Sequence, residues 1–321
     1  MFRVTGIRTR VVVAILVLAM LSVFCNIGVF AADLGQEKII YTVANAHLDT
    51  QWNWDVRRTI NEYLPKTFSN NFTLFEKYPD YEFNFEGAFR YALIKEYYPE
   101  AYERLRDYVI EGRWNVAGSS WDAGDVNIPS PEAIMRNILL GNKFFEREFG
   151  KTSVDIFLPD CFGFGYALPS IAVHMGLKGF STQKLTWGSA YGIPFDIGRW
   201  YGVDGSYVIA ALNPGSYTTT YQSSLSAPGS SWVNRVNQNG AYGLFAAYSY
   251  HGTGDTGGSP ADGSARIVQQ DIDKGVDPTT GVRVISASTD ELFRDITAEQ
   301  AGKLPYFDNE LVMTTHAVGG Y

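Results

Sequence analysis

Residues 39–49 read IIYTVANAHLD, an apolar run followed directly by a histidine and an aspartate. A short run with so few polar residues is typical of a strand buried on both faces of a parallel sheet. Residues two apart in extended backbone point to the same side, so His47 and Asp49 are expected to direct an imidazole and a carboxylate towards one point. Such a pair supplies half of a metal site with nitrogen and oxygen ligands. A surface pair without function is the alternative interpretation.

Strand and helix patterns alternate along the rest of the chain. Further strands are predicted at 82–86, 114–118, 154–158, 178–183, 207–212, 243–247 and 282–287. Helices are predicted near 59–77, on either side of Pro99 within 89–110, and from an N-cap at Ser130 to Gly150. The alternation predicts an α/β fold in which helices cover parallel strands, arranged as a barrel. The polar stretch 213–232 and the glycine-rich stretch 252–263 are predicted to be long surface loops.

The composition excludes several classes of protein. With 45% hydrophobic residues the chain has enough apolar material for a core, which excludes a disordered or fibrous protein. Its 26 basic and 34 acidic residues give a net charge of -8, so a general nucleic-acid binder is not expected. Two cysteines are too few for a disulfide scaffold.

The N-terminus has the pattern of a secretory signal peptide. Three arginines precede an apolar run at 11–24, and small residues follow at Ala31 and Ala32. We expect residues 1–31 to be removed, which leaves 32–321 as a secreted, periplasmic or extracellular protein without stable membrane association. An uncleaved membrane anchor is the alternative.

Two more acidic positions follow the predicted strands. Asp160 comes directly after the strand at 154–158, where active-site residues of parallel sheets collect. Asp255 lies in a glycine-rich loop and is a candidate second carboxylate, with His251 close by as a candidate ligand. Turn and loop aspartates without function are the other interpretation. Cys161 is expected to be a packed small residue, because no local histidine would activate it.

Aromatic residues crowd the same segments. Trp52 follows Asp49, Phe162 follows Asp160, and Trp187 follows Gln183 and Lys184. Such rings stack on sugars in carbohydrate clefts, although most aromatic residues in a chain this rich in them belong to the core. The composition therefore suggests a carbohydrate ligand without establishing it.

Five stretches together resemble a known family, in the order that the family has them. They are ANAHLDTQW at 44–52, LPDCFG at 158–163, FSTQKLTW at 180–187, GTGD at 252–255, and NEL at 309–311 with TH at 315–316. These are similar to the motifs of the family 38 glycoside hydrolases, the retaining zinc-dependent α-mannosidases. The similarity extends from about residue 39 to the end of the chain. It implies a (β/α)7-like barrel of parallel strands with covering helices, incomplete at the C-terminal end.

The resemblance also implies the chemistry. His47, Asp49 and Asp160 would bind Zn²⁺, and Asp160 would also be the nucleophile that forms a covalent glycosyl-enzyme intermediate. Asp255 would be the general acid and base. The reaction would be retaining hydrolysis of terminal α-mannosides, and the substrate a mannose-containing glycan. These roles agree with the two closely spaced carboxyl groups that a retaining glycosidase needs.

Four further residues would shape the substrate cleft. Trp52 would stack beneath the sugar at the cleavage point and Phe162 would flank it. Lys184 would face the nucleophile, and His316 in the closing segment would line the cleft.

The chain also departs from the family pattern. The family takes a fourth zinc ligand, a histidine, from a helical region beyond the barrel, and β domains follow, whereas this chain stops at Tyr321. His174 is expected to be structural, which leaves His251 as the substitute candidate. Activity of such a truncated chain is therefore an open question. The alternatives are a zinc-dependent polysaccharide deacetylase, in which metal-bound water attacks an amide, and an inactive carbohydrate-binding remnant.

Overall fold

The computed structural model describes residues 37–314. The predicted signal peptide at 1–31 and the predicted cleft residue His316 lie outside the described residues. Neither prediction is therefore tested by the fold.

The described chain alternates strands and helices as predicted. Its strands are β1 Lys38–Ala46, β2 Phe83–Glu86, β3 Trp114–Ala117, β4 Asp155–Phe157, β5 Gly179–Ser181, β6 Ile197–Tyr201, β7 Tyr207–Ala211, β8 Ala246–Thr253, β9 Val282–Ser286 and β10 Tyr306–Phe307. Its α-helices are α1 Val56–Arg58, α2 Leu64–Lys77, α3 Ala88–Tyr97, α4 Pro99–Glu111, α5 Pro131–Phe149, α6 Leu168–His174, α7 Ser231–Gly240, α8 Asp262–Lys274, α9 Glu291–Asp295 and α10 Ala298–Lys303. A π-helical turn, Thr59–Tyr63, joins α1 to α2, and a 3₁₀ turn, Lys184–Trp187, follows β5.

The strands form two sheets of five. The first has the order β3-β2-β1-β8, with β9 also paired to β1, and all of its strands are parallel. The second has the order β10-β6-β7-β5-β4, and only its β6–β7 pair is antiparallel. Between residues 37 and 314 no strand ladder joins the two sheets, so the barrel is not closed. The prediction of an incomplete α/β barrel is confirmed.

A buried asparagine bridges the point where β1 exchanges one neighbour for another. The first half of β1 pairs with β9, and its end pairs with β2 through Asn45 and Asn84. The Asn84 side chain donates hydrogen bonds to the carbonyls of Ala44 and Ala287, at 3.2 Å and 2.9 Å. Its oxygen accepts from the Thr289 amide at 2.9 Å. Backbone groups that would otherwise be buried without partners are satisfied here, and the sheet splays open above them.

Two strand predictions need correction. The hairpin partner β6 was not predicted, and it introduces the antiparallel pair into a sheet expected to be parallel throughout. The strand expected at 243–247 lies later, because β8 pairs in register with the whole of β1, from Ile39 opposite Ala246 to Ala46 opposite Thr253. His251 therefore belongs to a strand and not to a loop. The helix predicted from Ser130 to Gly150 is confirmed, including the Ser130 N-cap and the left-handed glycine at its end.

The parallel strands set the position of the candidate site. The carboxyl ends of parallel strands meet at one edge of a sheet, so the segments that follow β1 and β8 of the first sheet open on the same side. The segment that follows β4 of the second sheet lines the same cavity as they do. No helix between residues 37 and 314 is long and apolar enough to cross a membrane.

Candidate active site

A cavity of about 380 Å³ lies at the carboxyl ends of the strands. Chain segments far apart in sequence line it: His47, Asp49, Trp52, Ala123, Gly124, Asp125, Leu158, Pro159, Asp160, Cys161, Phe162, Lys184, Trp187, Tyr217 and Asp255. The set includes every described residue to which the family resemblance gave a role in the site, but it does not include the substitute-ligand candidate His251. The fold thus brings the predicted residues together, although it does not test their roles.

His47 is oriented from both sides of its ring. Its Nδ1 lies 2.6 Å from a carboxylate oxygen of Glu86, the last residue of β2. Its Nε2 faces the cavity and forms no hydrogen bond within residues 37–314. That nitrogen lies 3.5 Å from Asp49 Oδ1 and 3.7 Å from Asp160 Oδ2. A buried imidazole nitrogen with two carboxylates around it is a natural position for a cation.

The electrostatics of His47 point in the same direction. Burial lowers the pKa of His47, but the negative charge of Glu86, the nearby carboxylate of Asp49 and the hydrogen bond to Glu86 outweigh it and raise the pKa to about 10. Without a metal the ring is therefore an imidazolium at neutral pH. A metal ion bound at Nε2 would take the place of that proton.

The ligand geometry fits a small divalent cation. Four ligands at about 2.0–2.2 Å around tetrahedral zinc are separated from one another by roughly 3.3–3.5 Å. The two distances from His47 Nε2 to the carboxylates of Asp49 and Asp160 come close to this separation. A second set of three ligand atoms comes from His47, Asp49 and Asp255, which all lie within 4.8 Å of one another. The structure therefore places Asp255 nearer to the metal-binding group than the sequence predicted.

Asp160 is held by a buried cation. Lys184 Nζ forms an ion pair with Asp160 Oδ1, and the lysine side chain is fully buried. Its ammonium also lies over the rings of Trp187 and Phe162, at 3.4 Å and 4.7 Å from the ring centroids. Aromatic faces stabilise a cation that has lost its water, so the two rings help to hold the Lys184 side chain against Asp160. The two oxygens of Asp160 consequently face different partners, a lysine and the His47 side of the cavity.

The hydroxyl of Tyr217 contacts the carboxylates of both Asp160 and Asp255. Tyr217 OH lies 3.2 Å from Asp160 Oδ2 and 2.9 Å from Asp255 Oδ1. Burial, followed by the charges of Asp160 and Asp255, raises the pKa of Tyr217 well above its ordinary value. The phenol therefore stays protonated. The hydroxyl has one proton and can donate it to one carboxylate. The second contact is then a full hydrogen bond only when that second carboxyl group is protonated and donates to the Tyr217 oxygen.

Comparison with known proteins now identifies the family. The family model described as "Glycosyl hydrolases family 38 N-terminal domain" matches residues 37–310 of this chain. The chain belongs to glycosyl hydrolase family 38. The family was predicted from the sequence motifs, and that prediction is confirmed.

Individual relatives agree with this family 38 assignment. The chain is 32% identical to alpha-mannosidase G of Dictyostelium discoideum over 284 residues, which is 86% of this chain and 25% of the relative. It is 27% identical to an alpha-mannosidase of Saccharomyces cerevisiae over 285 residues, again 86% of this chain and 26% of the relative. The chain thus spans about a quarter of the length of the curated relatives that it matches.

A solved structure shows the same fold. An alpha-mannosidase from Enterococcus faecalis superimposes with a TM-score of 0.66 at 17% identity, over 86% of this family 38 chain and 31% of the other. At that identity the similarity concerns the fold alone.

His251, which the sequence offered as a substitute zinc ligand, lies away from the cavity of this family 38 domain. His251 does not line the cavity. Its Nδ1 lies 3.1 Å from Ser264 Oγ on α8, and its ring stacks on Tyr221 with centroids 4.8 Å apart. Burial lowers the pKa of His251 to about 3, so the ring is neutral. The thiol of Cys161 is buried and contacts the Gly124 carbonyl, and burial raises its pKa, which agrees with a packing role.

Sequence reasoning missed two residues of the site. Glu86 was read only as the end of a strand, although its place at the carboxyl edge beside β1 was an available signal. Tyr217 lies in the polar stretch at 213–232, where no local pattern distinguishes it from its neighbours.

Proposed function

We propose that this chain carries the catalytic site of an α-mannosidase that removes terminal mannose from glycans with retention of configuration. The observation that carries the proposal is the convergence of His47, Asp49, Asp160 and Asp255 on one cavity in a family 38 domain. Exposed Trp52 and Trp187 at the same cavity supply flat rings suited to stacking on a sugar.

Asp160 is the proposed nucleophile. Its carboxylate attacks the anomeric carbon, which forms an ester bond as the glycosidic bond breaks. The buried ammonium of Lys184 stabilises the carboxylate before attack and again when it departs from the sugar. Water then attacks the same carbon and releases mannose with its original configuration.

Asp255 is the proposed general acid and base. In its protonated form it gives a proton to the leaving oxygen, and afterwards it takes one from the attacking water. The Tyr217 hydroxyl touches both Asp160 and Asp255, so their nearest oxygens are no farther apart than the sum of those two contacts. This limit is compatible with the separation of about 5–5.5 Å that retaining glycosidases use.

Zn²⁺ is the proposed metal. His47, Asp49 and Asp160 would hold it, and the free Nε2 of His47 is the observation that supports the fit. When bound, the ion would orient sugar hydroxyls and stabilise developing charge. Among the described residues His47 is the one histidine that lines the cavity, which favours this role over a deacetylase site built on a pair of histidines.

We also propose that the protein is exported, because residues 1–31 have the pattern of a signal peptide. Sequencing of the mature N-terminus is the direct test. A chain that begins at residue 32 supports export, and a chain that keeps residue 1 and stays in the cytoplasm contradicts it.

Hydrolysis of an aryl α-mannoside tests the function. The purified chain with added zinc is expected to release the aryl group and give α-mannose first, as seen by NMR of the anomeric proton. Asp160→Ala is expected to lower the rate about a thousandfold or more, since it removes the nucleophile. Asp204→Asn is the matched control, because Asp204 is exposed in the β6–β7 turn and is outside the cavity.

Three results would redirect the proposal. Sugar binding without any turnover would indicate a carbohydrate-binding remnant, and release of acetate from an acetylated sugar would indicate a deacetylase. If Asp255→Asn loses zinc affinity and Asp160→Asn keeps it, Asp255 and not Asp160 would be the metal ligand, and Asp255 would no longer be the proposed acid.

A further inference from the structure

Glu86 is a buried carboxylate with no access to substrate. Only 1% of its surface is exposed, and it ends β2 directly beside the end of β1. Its side chain lies behind the His47 ring, on the side away from the cavity, with Oε1 at 2.6 Å from Nδ1. It is not among the residues that line the cavity.

A carboxylate in this place decides which nitrogen of the imidazole is available. A carboxylate accepts hydrogen bonds and donates none, so the contact requires a proton on Nδ1. A neutral ring with a proton on Nδ1 has its lone pair on Nε2, which is the nitrogen that faces Asp49 and Asp160. The negative charge behind the ring also makes Nε2 a stronger donor to a metal.

We propose that Glu86 is a positioning residue that fixes the tautomer and orientation of His47, so that Nε2 is presented to a divalent cation in the cavity. The inference rests on the proposed zinc site and extends it to a residue that does not touch the ion. Glu86 acts through His47 alone.

The surroundings of Glu86 hold it in this position. The fully buried Arg90 donates from Nη1 to the Glu86 carbonyl at 3.0 Å and from Nη2 to the Leu48 carbonyl. Arg90 Nη1 also lies 3.2 Å from Asp122 Oδ1. One guanidinium thereby ties the end of β2 to the segment that contains His47. The geometry of the Glu86–His47 pair is set by the backbone on both sides.

The same strand offers a matched control. Glu82 lies one residue before β2 and is half-buried, and its carboxylate accepts from the Asn115 side chain at 2.7 Å. Burial is the main cause that raises the pKa of Glu82 to about 7. Glu82 is therefore a second glutamate of the same strand region that is shielded from solvent in part, and its hydrogen-bond partner is Asn115 and not His47.

The test is the zinc affinity of the full chain, measured by competition with a chromophoric chelator. Glu86→Gln keeps the size of the side chain and an oxygen that accepts from Nδ1, but it removes the charge. We expect zinc to bind about 10- to 100-fold more weakly in E86Q, and with unchanged affinity in E82Q. Circular dichroism checks that both variants are folded.

The possible results separate the two proposals. If the wild-type chain binds no zinc, the proposed metal site and this inference fail together. If the wild type binds zinc and E86Q binds it equally well, the inference alone is overturned, even when E86Q is less stable. A comparable loss in E82Q would likewise overturn it, because the effect would then be a general one of buried charge.

A second measurement is made on the wild type and does not depend on the folding of a Glu86 variant. In the zinc-loaded wild type labelled with ¹⁵N-histidine, the His47 signals are identified by their loss in His47→Asn. We expect a proton on Nδ1 and a metal-shifted Nε2. Zinc bound through Nδ1, or a His47 ring unaffected by zinc, would contradict the role of Glu86.

Discussion

His47 directly follows β1, and His251 lies on the neighbouring strand β8; both are almost completely buried, yet their chemistry is opposite. His47 faces the cavity with Glu86 behind it, and its pKa is raised to about 10. His251 packs between the sheet and α8 with only a serine hydroxyl at its ring nitrogen, and burial lowers its pKa to about 3. The residue type and the degree of burial are the same, so the partner decides the function.

The loop at 213–232 repeats this contrast. It places Tyr217 edge-on to the His47 ring, with centroids 5.4 Å apart, and Tyr221 stacked on the His251 ring. Tyr217 touches two carboxylates, whereas Tyr221 OH lies 2.6 Å from Ser249 Oγ. The loop therefore contributes to two histidine–tyrosine pairs, and within residues 37–314 the acidic partners are found at the His47–Tyr217 pair.

Replacement of each histidine should give the largest difference between the two regions. His47→Asn removes a proposed zinc ligand, so we expect zinc affinity to fall at least about 100-fold and mannoside hydrolysis about a thousandfold or more. His251→Asn should leave both within about twofold, because its ring does not reach the cavity. Zinc competition and an aryl α-mannoside assay measure the two effects.

His47→Asn also leaves Glu86 without its cationic partner, which is costly for a buried charge. The double variant His47→Asn with Glu86→Gln removes that charge and should refold if the single variant is unstable. A His251→Asn variant that loses zinc as strongly as His47→Asn would contradict the distinction between the two sites.

The tyrosines should give the next largest difference. Tyr217→Phe removes a hydrogen bond to a charged carboxylate, a contact worth about 1.5–3 kcal/mol, so kcat should fall about 10- to 100-fold. Because the hydroxyl joins the nucleophile to the acid, the pH optimum should move as well. Zinc affinity should stay close to that of the wild type, since Tyr217 is not a proposed ligand.

Tyr221→Phe is the matched control, as it removes the same atom from the other pair. It should change stability through Ser249 and leave the pH profile of hydrolysis unchanged. Equal losses of kcat in the two variants would mean that the loop as a whole, and not the Tyr217 hydroxyl, supports the reaction.

The sequence predicts the site residues whose signals are local. The apolar run at 39–46 and the acids that follow β1 and β4 mark His47, Asp49 and Asp160, because residues after parallel strands collect at one edge. Glu86 obeys the same rule and was overlooked because its strand alternates like an ordinary one. The position of His251 was wrong because the register of β8 with β1 depends on pairing between residues about 200 apart in sequence.

Tyr217 shows a different limit. It lies in a loop whose path is fixed by distant contacts, such as the hydrogen bond from the Tyr250 amide to the Pro214 carbonyl at 2.8 Å. No spacing within 213–232 reveals which tyrosine points into the cavity and which points to α8. The antiparallel β6 was missed for a related reason, since a hairpin edge of five residues has little periodicity of its own.

The smallest of these expected effects is a loss of folding stability in acid that comes from His251. Its pKa is about 3 in the folded chain and ordinarily 6.5, so the unfolded chain binds the extra proton between these values. Stability is therefore complete above pH 6.5 and falls as the pH decreases towards 3. At pH 5.5 the loss from this one group is about 1.4 kcal/mol, and His251→Asn should remove it.

Urea unfolding at pH 7.5 and 5.5 measures the difference, with the exposed His174→Asn as control. If the wild type and His251→Asn lose equal stability between the two pH values, the ring already finds a proton acceptor in the fold, and the contrast with His47 is smaller than the structure indicates.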